Sequence, residues 1–351
     1  MVARRSFLAG LLATALPAPG WAAAGSPAYL AAGKSGDTFE LHGLSDTGQS
    51  LFRIALPNRG HAAAAHPTLP QAVAFARRPG IFALVIDCVT GAVLHRLTPP
   101  DGRQFNGHGA FSADGTLLMT SEVIAETSQG RIGLWDTASY ARVDEWTSHG
   151  IGPHEIKRLP DGHIIVANGG IQTDPQDRSK LNLGTMRPNL SLLSPEGTLL
   201  DQADTPQPQN SIRHLALLPD NTIAFAMQWE GGASEPVPQL GLWTPGTAPR
   251  LCPPQPEEAF AMQGYAGSIA VSTSGDLIGV TSAKGGVVML FDANGTPVAT
   301  HRRADISGIA PSPDGLIVSD GQGAVWSCTA KALTLLDRHP VLWDNHLIAI
   351  G

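Results

Sequence analysis

The sequence is poor in the residues that most often reveal a cysteine-based site or a disulfide scaffold. Only three of its 351 residues are cysteines, 6% are aromatic and 15% are charged. Cys88, Cys252 and Cys328 are far apart and match no metal-ligand spacing, which excludes a cysteine-ligated metal motif. Their odd number allows at most one disulfide, and the pattern favours thiols buried in strands.

Common catalytic and cofactor motifs are missing as well. The chain contains no Gly-x-Ser-x-Gly, no Cys-x-x-Cys-His, no phosphate-binding loop and no glycine-rich dinucleotide fingerprint between a strand and a helix. The acidic stretch 36–48 lacks the spacing of a calcium loop. These absences argue against serine hydrolases, c-type cytochromes, nucleotide-binding enzymes and calcium-loop proteins.

The apolar run near the N-terminus is too short to cross a bilayer, for which about 20 residues are needed. It follows Arg4-Arg5 and the sequence Ser-Phe-Leu at 6–8, and it ends in small residues near Ala24. This stretch resembles a twin-arginine export signal. We therefore expect residues 1–24 to be a signal peptide, the rest of the chain to be periplasmic and no segment to span a membrane.

Removing residues 1–24 takes away two arginines and no acidic residue, so the formal net charge falls from −7 to −9. A negative surface disfavours nucleic acids and anionic lipid surfaces as partners. The 39 glycines and 28 prolines, with few long helical periods, favour an all-β protein.

Five segments share one pattern of a short apolar strand, a tight turn and a second apolar strand, which is the signature of a β-hairpin. They cover residues 106–122, 152–168, 211–228, 266–283 and 306–321. An earlier copy at 59–76 has a turn longer by two residues. A third apolar strand follows each complete copy, and the repeat length is that of a β-propeller blade.

A seventh blade is split between the two ends of the chain. Residues 344–350 read as an innermost strand with nothing after it, and 28–56 as three outer strands with nothing before them. Joining them would close the ring and protect the sheet edges. The sequence therefore predicts an all-β, seven-bladed β-propeller of the WD40/YVTN-like kind, formed by residues 25–351 as one domain.

Histidine and glutamate recur six positions before the hairpin turns. Counting back from the turn gives His108, Glu155 and His214. His61 occupies the equivalent position when the longer turn of its copy is allowed for, and His346 when the starts of the strands are aligned. The other two blades carry Ser268 and Gly308. Because the innermost strands of a propeller line its central channel, we expect these five side chains to converge at one mouth of the channel.

Other polar residues are predicted to surround that mouth. The second strands end on the same face, and an insertion at 169–189 emerges there. The expected second shell or rim comprises His154, Arg77, Arg78, Glu122, Asn168, Lys180, Asn182, Arg213 and Gln228.

Imidazole and carboxylate groups facing one point suit a transition metal such as iron, copper or zinc. The pattern thus predicts a metal-binding protein rather than an enzyme. An alternative is a lyase or hydrolase that uses the same ring for acid–base catalysis. A third possibility is a scaffold that binds protein partners. The recurring histidines could also be purely structural, like the histidines of WD-type repeats, which form hydrogen bonds within their own blade.

The order of the short motifs RGH, NGHG, GPHE, SIRHLA and DNHL resembles an uncharacterised "domain of unknown function" family of exported bacterial propellers. The resemblance covers the chain beyond residue 24. It implies iron handling, with imelysin-type or di-haem peroxidase-like proteins of the cell envelope as partners. It implies no established reaction.

Overall fold

The hairpin repeats fold into seven four-stranded antiparallel sheets, so the predicted seven-bladed β-propeller is confirmed. The computed structural model describes residues 20–77, 80, 82–177, 179–233 and 235–350. In these ranges the non-strand elements are a 3₁₀ helix at Trp21–Ala24 and one short α-helix, α1, at Pro256–Ala261.

Each blade runs from an innermost strand at the channel to an outermost strand at the rim of the disc. Blade 1 contains β28 (Leu342–Ala349), β1 (Tyr29–Ser35), β2 (Thr38–Leu44) and β3 (Ser50–Leu56). Blade 2 contains β4 (Gly60–Ala65), β5 (Gln71–Ala76), β6 (Ala83–Asp87) and β7 (Val93–Leu97). Blade 3 contains β8 (Arg103–Phe111), β9 (Leu117–Ile124), β10 (Gln129–Asp136) and β11 (Arg142–Ile151). Blade 4 contains β12 (Pro153–Arg158), β13 (Ile164–Asn168), β14 (Asn189–Leu193) and β15 (Leu199–Asp204). Blade 5 contains β16 (Asn210–Leu217), β17 (Ile223–Trp229), β18 (Leu240–Trp243) and β19 (Arg250–Leu251). Blade 6 contains β20 (Ser268–Val271), β21 (Leu277–Ser282), β22 (Val287–Asp292) and β23 (Pro297–Arg302). Blade 7 contains β24 (Ile306–Ser312), β25 (Gly315–Asp320), β26 (Ala324–Cys328) and β27 (Leu333–Arg338).

The ring closes between the two ends of the chain, as expected. β28 pairs antiparallel with β1, from Tyr29 opposite Ala349 to Lys34 opposite Leu342. This pairing gives the last strand of the chain a hydrogen-bonded neighbour and places β1 between two paired strands.

The turns between first and second strands need a residue that tolerates a positive φ. Gly115 and Gly162 adopt φ values of 74° and 90°. Asn221 has a φ of 66° at the equivalent place, which is possible because asparagine enters the left-handed region more readily than most residues. The Asp-Asn turn of blade 5 is therefore the counterpart of the Asp-Gly turns.

The hydrophobic core lies between neighbouring blades. For example, Met119 and Leu134 of blade 3 form one buried cluster with Ile156 and Val166 of blade 4. A strand with a blade on each side must be apolar on both faces, which explains the continuous apolar runs that alternation alone would not predict. The three cysteines are buried free thiols in this interior, as expected.

Residues 1–19 of the expected signal peptide lie outside the described residues. The following segment rests on blade 2, where the Trp21 indole donates a hydrogen bond to the His66 carbonyl at 2.9 Å. Within the described ranges, the structure has no helix that is long and apolar enough to cross a membrane.

Candidate metal centre

Five histidines from the innermost strands of five blades come together. The ring centre of His108 lies 5.0 Å from His61, 4.6 Å from His154, 5.4 Å from His214 and 5.0 Å from His346. We call these five side chains the imidazole cluster. His108 is its common member because it contacts all four others.

The remaining rings also contact one another. The centre of His346 is 4.6 Å from those of His61 and His214, and His154 is 4.7 Å from His214. All five side chains are largely buried. The cluster therefore spans blade boundaries, whereas a WD-type histidine would brace its own blade.

The cluster contains two overlapping groups of ring nitrogens. One nitrogen from each of His61, His108 and His346 lies within 4.8 Å of the others, and the same holds for His108, His154 and His214. Three imidazoles around one ion are a common ligand set for transition metals. The structure thus brings together donor groups that could bind a metal.

β-Bulges at the start of the innermost strands aim these side chains inward. In β12 the regular pairing breaks between Pro153 and Ile156, and the bulge contains His154 and Glu155. In β4 it breaks between Gly60 and Ala63, around His61. An extra residue in a bulge changes the direction of its side chains, as often happens beside functional sites.

The bulge in β12 reverses the roles expected for two neighbouring residues. His154, expected beside the ring, belongs to the imidazole cluster. Glu155, expected as a ligand, lies at its edge, with an oxygen 3.4 Å from Nδ1 of His214. The other oxygen is 3.1 Å from Nζ of Lys157. The two residues exchange roles because of the bulge, which counting back from the hairpin turn cannot detect.

Glu155 contacts His214 from the edge of the cluster. It also accepts a hydrogen bond from the backbone N–H of Leu215 at 2.8 Å. Burial opposes ionisation of Glu155, but Lys157 and His214 outweigh it and lower the pKa of this carboxyl group. The resulting carboxylate orients the His214 ring, as carboxylates behind metal-bound histidines do.

Asp344 is a functional candidate that the sequence analysis did not select. Its Oδ1 lies 3.8 Å from Nδ1 of His61 and 3.3 Å from Nη1 of Arg77, and its Oδ2 accepts a hydrogen bond from Arg59. Burial alone would raise the pKa of Asp344, but His61 and Arg59 lower it to about 2. The sequence feature that could have identified Asp344 is its position two residues before His346.

Three imidazoles of the cluster, those of His61, His108 and His346, have lowered pKa values, which favour their neutral form. Burial, followed by the proximity of other histidines, lowers the pKa of His108 and His346 well below its usual value. Burial also lowers the pKa of His61, although Asp344 partly compensates. Nε2 of His108 and Nε2 of His346 are buried without a hydrogen-bond partner among the described residues. Neutral rings with unpaired nitrogens fit the requirements of a metal site.

Two residues expected at the rim are instead fully buried in structural contacts. Glu122 is fully buried and forms a two-point ion pair with Arg142, at 2.7 and 3.0 Å. Asn168 is fully buried and bonds Ser148 through its oxygen at 2.7 Å and through its nitrogen at 2.9 Å. The Glu122 contact lies within blade 3, and the Asn168 contact joins blade 4 to blade 3, so the rim prediction is wrong for both.

The other expected rim residues have local partners. Lys180 pairs with Glu230, Gln228 donates to the Ala266 carbonyl at 3.0 Å, and Asn182 donates to the Gly170 carbonyl at 2.9 Å. Arg213 is 7% exposed, with Nη2 3.8 Å from Glu230. Arg78 lies outside the described residues. Of the predicted rim cations, Arg77 and Arg213 therefore remain close to the imidazole cluster: Arg77 contacts Asp344, and Arg213 directly precedes His214.

A family model described as "Protein of unknown function (DUF1513)" matches residues 54–350, which include the whole imidazole cluster. The chain belongs to this family. The match confirms the expected resemblance to a domain of unknown function. No curated protein matches the sequence.

Several solved structures share the fold of this DUF1513 protein. "Kuenenia stuttgartiensis Hydrazine Synthase" has a TM-score of 0.61 and 13% identity, covering 86% of this chain and 89% of the other. "Structure of U3-55K" has a TM-score of 0.61 and 15% identity, covering 81% and 82%. "Crystal Structure of Mitotic Checkpoint Complex" has a TM-score of 0.56 and 11% identity, covering 80% and 77%. Such low identities show a common propeller fold alone.

Proposed function

We propose that this protein binds a transition metal in the imidazole cluster and acts in metal acquisition, storage or delivery in the periplasm. The convergence of five imidazoles from five blades on His108 supports the proposal. A buried polar group without a hydrogen-bond partner costs about 1–3 kcal/mol. A bound metal would give the unpaired nitrogens of His108 and His346 a partner and offset this cost.

Iron is the first candidate among the metals, and copper and zinc are the next. Neutral imidazole binds all three, so the ligand type does not choose between them. The preference for iron rests on the resemblance to exported propellers associated with iron handling. The same resemblance is the basis for proposing imelysin-type or di-haem peroxidase-like partners in the envelope.

The metal content of the purified protein tests the proposal. The chain is expressed without a histidine tag, purified from the exported fraction and assayed by elemental analysis, before and after loading with Fe²⁺ under argon. At least one metal ion per chain is expected. A His108→Ala, His214→Ala double variant should lose it, and a His163→Ala variant should keep it because His163 pairs with Asp161 outside the cluster.

Metal-free wild-type protein that also fails to take up Fe²⁺, Cu²⁺ or Zn²⁺ would overturn the metal site. Circular dichroism of each variant separates loss of ligands from loss of the fold. Fractionation of cells that express an Arg4→Lys, Arg5→Lys variant tests the proposed location. Unchanged recovery of that variant in the periplasm would contradict export by the twin-arginine route.

A further inference from the structure

A cavity of about 420 Å³ lies along the propeller axis beside the imidazole cluster. All seven innermost strands line it, and we call it the channel. The end of the channel next to the imidazole cluster is lined by His108, Glu155, Ser268 and His346. The channel therefore reaches the two histidines whose Nε2 atoms lack hydrogen-bond partners among the described residues.

The channel extends from the cluster towards the hairpin turns. Its lining includes Phe111, Arg158 and Leu217, which are the last residues of their innermost strands. Asp344 and Arg213 are buried and are not part of the channel lining. The channel offers a small molecule a route to the cluster from the face of the hairpin turns.

The charge of the channel is concentrated on one strand, β12. Apart from its histidines, the charged lining residues are Glu155, Lys157 and Arg158. Glu155 and Lys157 form an ion pair, so the excess charge along the wall is positive. A positive wall with apolar surroundings raises the local concentration of small anions.

We propose that the channel is a binding site for a small carboxylate anion, which completes the coordination of the metal between His108 and His346. This inference rests on the proposed metal centre. Arg158 supplies the excess charge, and Lys157 neutralises the Glu155 carboxylate, which would otherwise repel an anion beside the cluster. The cavity volume accommodates an anion of a few heavy atoms together with some water.

Azide titration of the Cu²⁺-loaded protein tests the proposal, since azide is a small anion whose bond to Cu²⁺ gives a charge-transfer band. Saturable azide binding is expected, and acetate should displace the azide competitively. A Lys157→Met variant should bind azide about three- to tenfold more weakly, the loss expected from one partly screened charge. Lys157→Arg should restore the affinity, and Lys331→Met should not change it because Lys331 is exposed in a distant turn.

An Ala110→Phe variant tests the route independently. Ala110 lines the channel and is only partly buried, so a larger side chain there should slow azide binding while Cu²⁺ stays bound. Failure of the wild-type protein to retain any of Cu²⁺, Fe²⁺ and Zn²⁺ would overturn the metal centre itself. Retained Cu²⁺ with no azide band, no competition by acetate, or equal azide affinity in Lys157→Met would overturn the channel site alone.

Discussion

The carboxylate of Asp344 lies 3.8 Å from Nδ1 of His61, although the two residues come from opposite ends of the chain. Asp344 precedes the last histidine of the cluster, and His61 begins the second blade. Closure of the ring between β28 and β1 brings them together. The two atoms are beyond hydrogen-bond distance, so Asp344 acts on the His61 ring through its negative charge, and we infer that metal binding at Nε2 draws Nδ1 towards this carboxylate.

We predict that Asp344→Asn lowers the affinity for the metal by about 10- to 100-fold, the usual effect of losing a partner behind a metal-bound histidine. Competition with a chelator of known affinity measures the change. Asp314→Asn is the control, since Asp314 is exposed in a hairpin turn. Equal losses in the two variants would contradict the orienting role.

The two overlapping imidazole groups predict an unequal effect of single histidine variants. His108 belongs to both groups, so His108→Ala should lose more metal than either His61→Ala or His154→Ala. Elemental analysis after equilibrium dialysis gives the stoichiometry of each variant. Full retention of metal by His108→Ala would mean that neither group is the binding site.

The propeller could be predicted from the sequence because its turns are local. Each hairpin is specified by a two-residue turn and by the apolar runs beside it, and the third strand expected after each complete copy is present, for example at Val287–Asp292. The split blade followed from the number of strands needed to close the ring. These signals depend on residues that are close together in the chain.

The site was predicted less completely, since its geometry depends on irregular backbone. A one-residue change in register moves a side chain to the other face of a strand. Counting from the turn therefore selected Glu155, whereas the bulge places His154 in the cluster. The contact of Asp344 with His61 depends on ring closure, which joins residues that no local pattern connects.

The ion pair of Glu122 with Arg142 predicts an effect on stability without an effect on metal binding. Arg142→Met would leave the fully buried Glu122 carboxylate without its two-point partner. Breaking such a pair costs about 3–5 kcal/mol. Urea unfolding should show the lower free energy of unfolding, while elemental analysis should show unchanged metal content in the protein that remains folded. Reduced metal affinity with normal stability would instead support a role for Glu122 at the site.

The lowered pKa of the clustered histidines predicts that the metal-free protein is destabilised by acid. In the unfolded chain each histidine titrates near pH 6.5, whereas in the folded protein the pKa values of His61, His108 and His346 are lower. Below pH 6.5 the unfolded chain therefore binds more protons than the folded protein, and the free energy of unfolding falls as the pH falls. Above about pH 7.5 these histidines should contribute no further pH dependence.

Urea unfolding of the metal-free protein between about pH 5 and pH 8 measures this dependence. A His108→Leu, His346→Leu variant should show a smaller decrease in unfolding free energy over the acid half of that range, because it has two fewer histidines to protonate on unfolding. Bound metal should be released over the same acid range, since protons compete for the same nitrogens. An equally steep decrease in the wild type and in the double variant would show that the acid sensitivity comes from carboxylates elsewhere and not from the imidazole cluster.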